Sequence, residues 1–275
     1  MALYTRDYNP FPLFEFTVGT DPSRDYSSLT ACFAALNNTL IDKPSSRVII
    51  TVYNDTGTDK WVCDTSLLTL SIPSNCADFT LTVDDDSWHK GQYDKGCIVQ
   101  LQSQTYNSIG CFQFSGSYSG RVLIERLAFD ANNQFYNNAY NAAVFQGGYV
   151  TTVAEPTYPN RVKNLYIRGG DGTTVDSARS MSGLRLSGAR HWFVDSCIVE
   201  NLVCTGSQGS YSSYGIYNGS RGLTKNCVVN NVSFASSTQT NYGIYGATGT
   251  GSTENCIVTN IATPAAGSSQ CYYSS

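Results

Sequence analysis

The sequence predicts an all-β fold of the solenoid type, in which coils of parallel strands stack along one axis. The main observation is a Cys-Ile/Val-Val-x-Asn motif at 197–201, 227–231 and 256–260, a period of 30 and then 29 residues. A second motif keeps step with it, as Ser-Gly-Leu-Arg at 182–185 and Tyr-Gly-Ile-Tyr at 214–217 and 242–245. Each repeat unit alternates β-branched with polar residues and lacks a helical period. Repeats of this length indicate stacked supersecondary units, so each repeat is predicted to be one coil.

The composition favours short strands and excludes several function classes. Charged residues are only 14% of the chain, whereas 24 glycines and 19 tyrosines suit tight turns and strands better than helices. The net charge is -4 and no basic patch is present, so we expect no nucleic acid partner. No apolar run approaches the length that a membrane-spanning helix needs, so we expect no membrane insertion.

The oxidation state of the cysteines is predicted from the cellular compartment in which the chain is expected to fold. The first six residues are followed by Asp7 and a proline-broken stretch, not by the apolar segment of a signal peptide. We therefore expect no signal peptide and folding in a host cytoplasm, where the ten cysteines remain free, buried thiols. Spacings near 30 residues match no zinc site, so the prediction is no metal and no cofactor.

Residues 1–45 are predicted to form an extended arm and a capping helix. Apolar residues at 29, 32, 33 and 36 share one helical face, and Ser27 or Ser28 can serve as the N-cap. A helix at this place covers the apolar side chains and strand edges of the first coil. Residues 46–275 are assigned to a single parallel β-helix, beginning with the strand at 47–53.

The other coils are predicted by matching earlier strands to the clear repeats. Candidate strands occupy 67–72, 79–83, 110–114, 125–130 and 164–168, and residues 131–160 are interpreted as a loop excursion. Residues 269–273 match the Tyr-Gly-Ile-Tyr strand. We therefore expect the chain to end one strand into a new coil, which another chain covers or a longer protein continues.

The opening of the chain resembles the pectin-lyase-like superfamily of right-handed parallel β-helices. The resemblance runs from Val18-Gly19 through 25–29 to the strand at 48–52. Pectin methylesterases and many phage tailspike or fibre proteins open in this way, so the resemblance implies a right-handed helix. The sequence lacks the Gln-Asp pairing, the Asp-Phe-Ile-Phe-Gly type strand and the Gly-Arg-Pro-Trp segment of those esterases. Their activity is therefore not implied.

Alternation within the repeated strand predicts which side chains point inward. Glu200 cannot enter a dry core without a partner, so the opposite face of its strand is the inward one. Asn201, Asn231 and Asn260 then fall at the turn, where their amides are expected to hydrogen-bond between coils. The inward ladder is predicted to consist of Cys197, Val199, Cys227, Val229, Cys256 and Val258.

Two outward rows are predicted to form interfaces. An exposed apolar stripe on a sheet invites a partner or a covering loop. Stacked tyrosines bind sugar faces or pack at an interface, and the interface is the favoured interpretation. The rows are Ile198, Val228 and Ile257 in the apolar stripe, and Tyr217, Tyr245 and Tyr273 in the tyrosine row, which Arg185 precedes.

Candidate catalytic groups are few. Glycan cleavage needs paired carboxylates, or a base beside cations. The acidic residues at 84–86 suit Ca2+, but a turn after the preceding strand explains them equally well. His89 and His191 fit no triad order and no metal-ligand spacing. If the chain is an enzyme, its candidate catalytic residues are Asp130, Arg168, Asp171 and Asp176.

The expected function is a non-catalytic structural or recognition component of a phage particle, such as a capsid decoration, fibre or tailspike-like protein. Its expected location is the virion, and its expected partners are other protein subunits, in a homotrimer or a virion lattice. A surface glycan is a further candidate ligand. The alternative function is a polysaccharide lyase or hydrolase with a groove near 130–176. Clustered carboxylates in a groove favour the enzyme, and a broad apolar contact surface favours the virion component.

Overall fold

The chain folds into a parallel β-solenoid, as the repeats predict. The computed structural model describes residues 11–40, 46–72, 76–102, 109–115, 120–133, 142–147, 160–169, 181–187, 192–204, 212–219, 222–234, 240–246, 251–262 and 268–273. The strands form three sheets, called A, B and C here, which the chain visits in turn. Each strand pairs in parallel with strands of the neighbouring coils, so the ladder hydrogen bonds run along the solenoid axis.

The strands of each sheet follow one another in chain order. Sheet A contains β1 (Leu13–Val18), β2 (Ser46–Val52), β5 (Cys76–Val83), β8 (Arg121–Glu125), β11 (Asn160–Lys163), β14 (Trp192–Asp195), β17 (Leu223–Lys225) and β20 (Ser252–Glu254). Sheet B contains β3 (Lys60–Asp64), β6 (Gly96–Gln100), β9 (Ala128–Asp130), β12 (Tyr166–Arg168), β15 (Ile198–Cys204), β18 (Val228–Phe234) and β21 (Ile257–Ile261). Sheet C contains β4 (Leu68–Ser71), β7 (Ile109–Ser115), β10 (Ala142–Gly147), β13 (Met181–Leu186), β16 (Ser213–Asn218), β19 (Thr240–Gly246) and β22 (Ser268–Tyr273).

The helix α1 (Leu29–Leu40) packs on the first coil. The Ser28 hydroxyl accepts a hydrogen bond from the backbone N–H of Ala31, so Ser28 is the N-cap. Asp64, at the end of β3, accepts a second bond from the N–H of Thr30. The residues at 29, 32, 33 and 36 are buried, as the helical spacing predicts. The arm before the helix contributes β1, which pairs with β2 and so belongs to sheet A.

The interior carries the cysteine ladder at one of its corners. Cys197 and Cys227 are fully buried, whereas Cys256 is half-buried in the last repeat. The ladder is continuous, since the backbone N–H of Cys227 lies 3.4 Å from the Cys256 sulfur. The nine cysteines whose side chains the structure describes are all free thiols.

Asparagines bend the chain within the sheet-B strands β15, β18 and β21, and not at a turn after them as the sequence predicts. Asn201, Asn231 and Asn260 have φ of 53°, 55° and 54°, a left-handed conformation that asparagine tolerates better than most residues. Asn231 donates to the Asn201 side-chain oxygen at 2.9 Å, which is the predicted amide contact between coils. Asn260 donates instead to Asn230 at 2.8 Å, so the amide row changes partner at the last step.

Charge alternates along one outer column of sheet A. Register places Lys163 between Glu125 and Asp195, and it places Lys225 between Asp195 and Glu254. The Lys225 ammonium lies 3.5 Å from an Asp195 carboxylate oxygen. If a strand of this sheet paired with the next coil but one, residues of like charge would become neighbours. The alternating charges therefore favour the observed order of the coils.

Candidate functional site on the outer face of sheet B

An outward column on sheet B contains the predicted apolar stripe and extends it by three coils. Ile98 is fully buried, Tyr166 is 6% exposed and Ile198 is half-buried, whereas Ile257 is 58% exposed. Exposure therefore rises along the column towards the last repeat. The outer column comprises, in register, Ile98, Ala128, Tyr166, Ile198, Val228 and Ile257.

Residues 84–96, called the strap here, cover the first part of the outer column. The strap leaves sheet A after β5 and rejoins sheet B at β6. The rings of His89 and Tyr93 lie 5.6 Å and 6.3 Å from the Tyr166 ring, and a Cβ atom on Gly91 would lie 3.6 Å from Ile198 Cδ1. The strap therefore reaches across the strands β9, β12 and β15, and it keeps water from the apolar side chains beneath it.

The strap begins with the acidic residues at 84–86. The Asp84 carboxylate accepts the backbone N–H of Asp86, and the Asp84 carbonyl accepts that of Ser87. Asp85 forms a salt bridge with Arg126, whose guanidinium lies 5.7 Å from the centre of the Trp88 ring. These contacts define a turn. No cluster of metal-ligating side chains is found within the part of the chain that the structure describes.

A polar column lies beside the outer column on the same face of sheet B. Asp130 is 2% exposed and accepts three hydrogen bonds of 2.8 Å, from the Tyr93 hydroxyl, the Gln100 amide and the backbone N–H of Asn132. A carboxylate that holds three donors is a structural acceptor and has little capacity left for a substrate. The polar column comprises, in register, Gln100, Asp130, Arg168, Glu200, Asn230 and Thr259.

Arg168 is held between two acidic residues under the strap. It is 4% exposed, and its neighbours in register are Asp130 and Glu200. Its Nε lies 3.8 Å from a Glu200 carboxylate oxygen, and its guanidinium carbon lies 3.8 Å from the centre of the Tyr93 ring. The Lys60 ammonium donates to the Tyr93 hydroxyl at 3.2 Å. The positive charges of Lys60 and Arg168 are thus matched by the negative charges of two nearby carboxylates.

The tyrosines of this cluster stay protonated at neutral pH. Burial raises the pKa of Tyr93, and its hydrogen bond to Asp130 raises it further. Burial also raises the pKa of Tyr166, as does the hydrogen bond to Glu200. Both phenols therefore act as hydrogen-bond donors to carboxylates and not as bases.

The structure brings together only part of the predicted catalytic set. Asp130 and Arg168 are neighbours on β9 and β12, as a shared site requires. Asp171 and Asp176 lie outside the described residues, as does His191. Sequence reasoning did not assign roles to Tyr93 or Glu200. The available signal was the Trp88-His89 and Tyr93 aromatics in a loop that interrupts the coil period.

The tyrosine row on sheet C is wider than predicted. Tyr217 and Tyr245 stack with ring centres 5.2 Å apart, and Tyr214 and Tyr242 stack beside them at 5.4 Å. The Arg185 guanidinium lies 5.2 Å from the Tyr217 ring centre, at the start of the row. Tyr273 is in backbone register with Tyr245, although its side chain lies outside the described residues. Because the rings stack on one another, they cover much of the flat surface that a sugar would contact.

The fold and this site define a parallel β-solenoid protein with a strap across one outer sheet. No protein-family model matches the chain, and no curated protein or solved structure gives a significant match. Among the described residues, no helix has the length and apolar character that crossing a membrane requires. The function is therefore inferred from the geometry of the chain itself.

Proposed function

We propose that the protein is a non-catalytic structural or recognition component of a larger assembly, and that the uncovered end of the outer column binds other protein subunits. The observation that carries this proposal is the contrast within one column. The strap shields Ile98 and Tyr166, whereas Ile257, in line with them, is 58% exposed.

The uncovered residues offer substantial binding energy. Full burial of a side chain the size of Val228 or Ile257 is worth roughly 1.5–3 kcal/mol, and register places the two on neighbouring strands. Asn230 and Thr259 lie next to them in the polar column and hydrogen-bond to each other at 3.0 Å. An apolar centre with a polar rim is the usual organisation of a protein interface.

The tyrosine row supplies a second contact surface of the same kind. Its rings stack face to face within each pair, and the two pairs meet edge to face. Tyrosine is enriched at protein interfaces since it combines a large apolar ring with a hydrogen-bonding hydroxyl. The row therefore favours a protein partner, with a surface glycan as the second choice of ligand.

The polar column supports the non-catalytic part of the proposal. Its most buried members, Asp130 and Arg168, are 2% and 4% exposed and lie against Tyr93. A substrate would have to displace the strap to reach either group. The phage setting, as a decoration, fibre or tailspike-like protein of the virion, rests on the resemblance of the opening segment, and a homotrimer or a virion lattice is the proposed assembly.

One observation favours the alternative of a polysaccharide lyase or hydrolase. Register places Arg168 between the carboxylates of Asp130 and Glu200 on three successive strands. Two carboxylates with a cation between them are a set of groups that glycan cleavage can use. This alternative requires an open strap.

Lysine substitution on the outer column tests the proposed interface. Val228→Lys with Ile257→Lys should shift the sedimentation coefficient towards the monomer and leave the β-sheet circular dichroism unchanged, because both side chains lie outside the core. The matched control is Ser252→Lys with Ser71→Lys, which adds the same charge at exposed positions on sheets A and C, away from the outer column and the tyrosine row. Equal dissociation of the control, or no effect of the first pair, would contradict the proposed location.

A further inference from the structure

The strap is held to sheet B by a histidine whose two ring nitrogens are both used. The backbone N–H of Gly91 lies 2.9 Å from His89 Nδ1, which must accept that bond. His89 Nε2 lies 2.8 Å from the carbonyl oxygen of Asn164, to which it must donate. Only the neutral imidazole with its proton on Nε2 satisfies both contacts. A second proton would have to occupy Nδ1, where it would oppose the Gly91 N–H.

The imidazole has apolar and aromatic neighbours on both sides. His89 is 2% exposed, and its ring centre lies 5.5 Å from that of Trp88 and 5.6 Å from that of Tyr166. These rings contact the imidazole edge to face, so they exclude water from it. An imidazolium at this position would lose most of its hydration.

The charged groups described on the elements around the histidine pair with partners other than the imidazole, and Lys90, next to it on the strap, is exposed. From the strap itself, Asp85 pairs with Arg126 of the β8–β9 turn, which faces Trp88. From β12, Tyr166 is hydrogen-bonded to Glu200. The carbonyl of Asn164, from the β11–β12 turn, is already the acceptor of the neutral ring. No carboxylate within the described residues contacts the imidazole, so its protonated form gains no counter-charge there.

We propose that residues 84–96 are an acid-opened strap, in which protonation of His89 releases the strap from sheet B and uncovers the apolar column beneath it. The inference does not depend on the proposed interface, because it concerns contacts within one chain. Opening would join Ile98, Ala128 and Tyr166 to the part of the outer column that is already exposed. Acid would thereby extend the apolar stripe from Ile257 back to β6.

The direction of the pH dependence follows from the sign of the pKa shift. Burial lowers the pKa of His89 from 6.5 to about 4, and the hydrogen bond to Asn164 only partly opposes this effect. Because the pKa is lowered in the closed state, the closed strap is favoured above the ordinary pKa. It loses that advantage as the pH falls through the window from 6.5 to about 4. The width of this window allows protonation to raise the opening equilibrium constant by up to about 300-fold.

Hydrogen exchange in the unmodified chain and in His89→Gln tests the proposal. Exchange of amides 84–97 is measured from pH 7 to pH 3.5 and is expressed relative to the same peptides in the unfolded chain, which removes the intrinsic pH dependence of exchange. Amides of β16 and β19 report on the core. Glutamine can donate to the Asn164 carbonyl and does not titrate. The imidazole titration is followed by NMR, where the chain has only two histidines and the variant assigns one of them.

The expected result is a loss of strap protection of up to about 300-fold on acidification, with a midpoint between pH 6.5 and about 4, while core protection persists. In His89→Gln this acid-dependent loss should disappear. Protection that persists to pH 3.5 in the unmodified chain, an equal loss in His89→Gln, or simultaneous loss in the core would overturn the proposal. If the strap of His89→Gln is already open at pH 7, the test depends on the unmodified chain alone. Strap protection must then begin to fall near pH 6.5 and level off at the pH where NMR shows His89 to be protonated, and a loss that lies outside this window would overturn the proposal.

Discussion

The Tyr93 hydroxyl donates a 2.8 Å hydrogen bond to Asp130, and so joins the strap to the strand that carries the most buried carboxylate of sheet B. The same ring lies against the Arg168 guanidinium. The Tyr93 side chain therefore covers Asp130 and Arg168, which are the two described members of the candidate catalytic set. It also holds the strap over the apolar side chains of the outer column.

Removing that hydroxyl should lower the stability of the folded chain, because it takes one donor from a buried carboxylate. Tyr93→Phe leaves Asp130 with two donors, from Gln100 and Asn132, and leaves one buried oxygen site less well satisfied. We expect the free energy of unfolding to fall by roughly 1–3 kcal/mol in urea denaturation. Tyr26→Phe is the control and should change it by less than about 0.5 kcal/mol. An equal effect of both variants would show that the Tyr93 hydrogen bond has no special role.

The glycine of the Tyr-Gly-Ile-Tyr motif should not tolerate a side chain. A Cβ atom on Gly215 would lie 2.4 Å from Val229 Cγ1 and 2.6 Å from the Gly243 carbonyl oxygen, so the two repeated motifs pack directly against each other. We expect Gly215→Ala to lower the free energy of unfolding by roughly 1–3 kcal/mol, through overpacking. Adding Val229→Ala should not restore stability, because it removes core contacts and leaves the Gly243 clash. Calorimetry that finds Gly215→Ala neutral would contradict this packing.

The interior thiols should be inert in the folded protein. A hydrogen bond with Cys197 raises the pKa of Cys227, and burial raises it further; a hydrogen bond with Cys227 is the main cause of the raised pKa of Cys256. Thiol titration should therefore label exposed Cys271 first and the ladder only after unfolding. Cys227→Ser should cost roughly 1–3 kcal/mol, because it places a hydroxyl where a thiol packs. Rapid labelling of Cys227 in native protein would be inconsistent with this account.

Polysaccharides should not be cleaved. The Asp130 carboxylate already accepts three hydrogen bonds and Arg168 is covered by Tyr93, so neither group can reach a sugar while the strap is closed. A panel of acidic and neutral polysaccharides should yield no new reducing ends and no unsaturated products at neutral pH. Cleavage that Asp130→Asn abolishes would establish the enzyme alternative instead.

The fold could be predicted from the sequence because the coils between residues 182 and 261 repeat the same local pattern. The alternation around Cys197, Cys227 and Cys256 determines which face is inward, and the spacing of the repeats determines the register, so both follow from local rules. The outward placement of Val228 and Ile257 follows from the same alternation.

The site could be predicted only in part, since the strap obeys no repeat. Its contacts join His89 to Asn164 across 75 residues and Tyr93 to Asp130 across 37 residues, and no periodicity links those positions. The sequence pattern indicates only that Glu200 faces outward on its strand. Its place beside Arg168 depends on coil register, which the sequence establishes only approximately in the irregular coils before residue 160.

A native mass measurement of the unmodified chain tests the central claim most directly. The exposed apolar end of the outer column and the tyrosine row are both expected to be covered by other subunits. We therefore predict a defined oligomer, with a trimer as the expected state, that persists on dilution to working concentration. A monomer at all concentrations, with Ile257 still exposed to water, would contradict the proposal that this solenoid functions as part of an assembly.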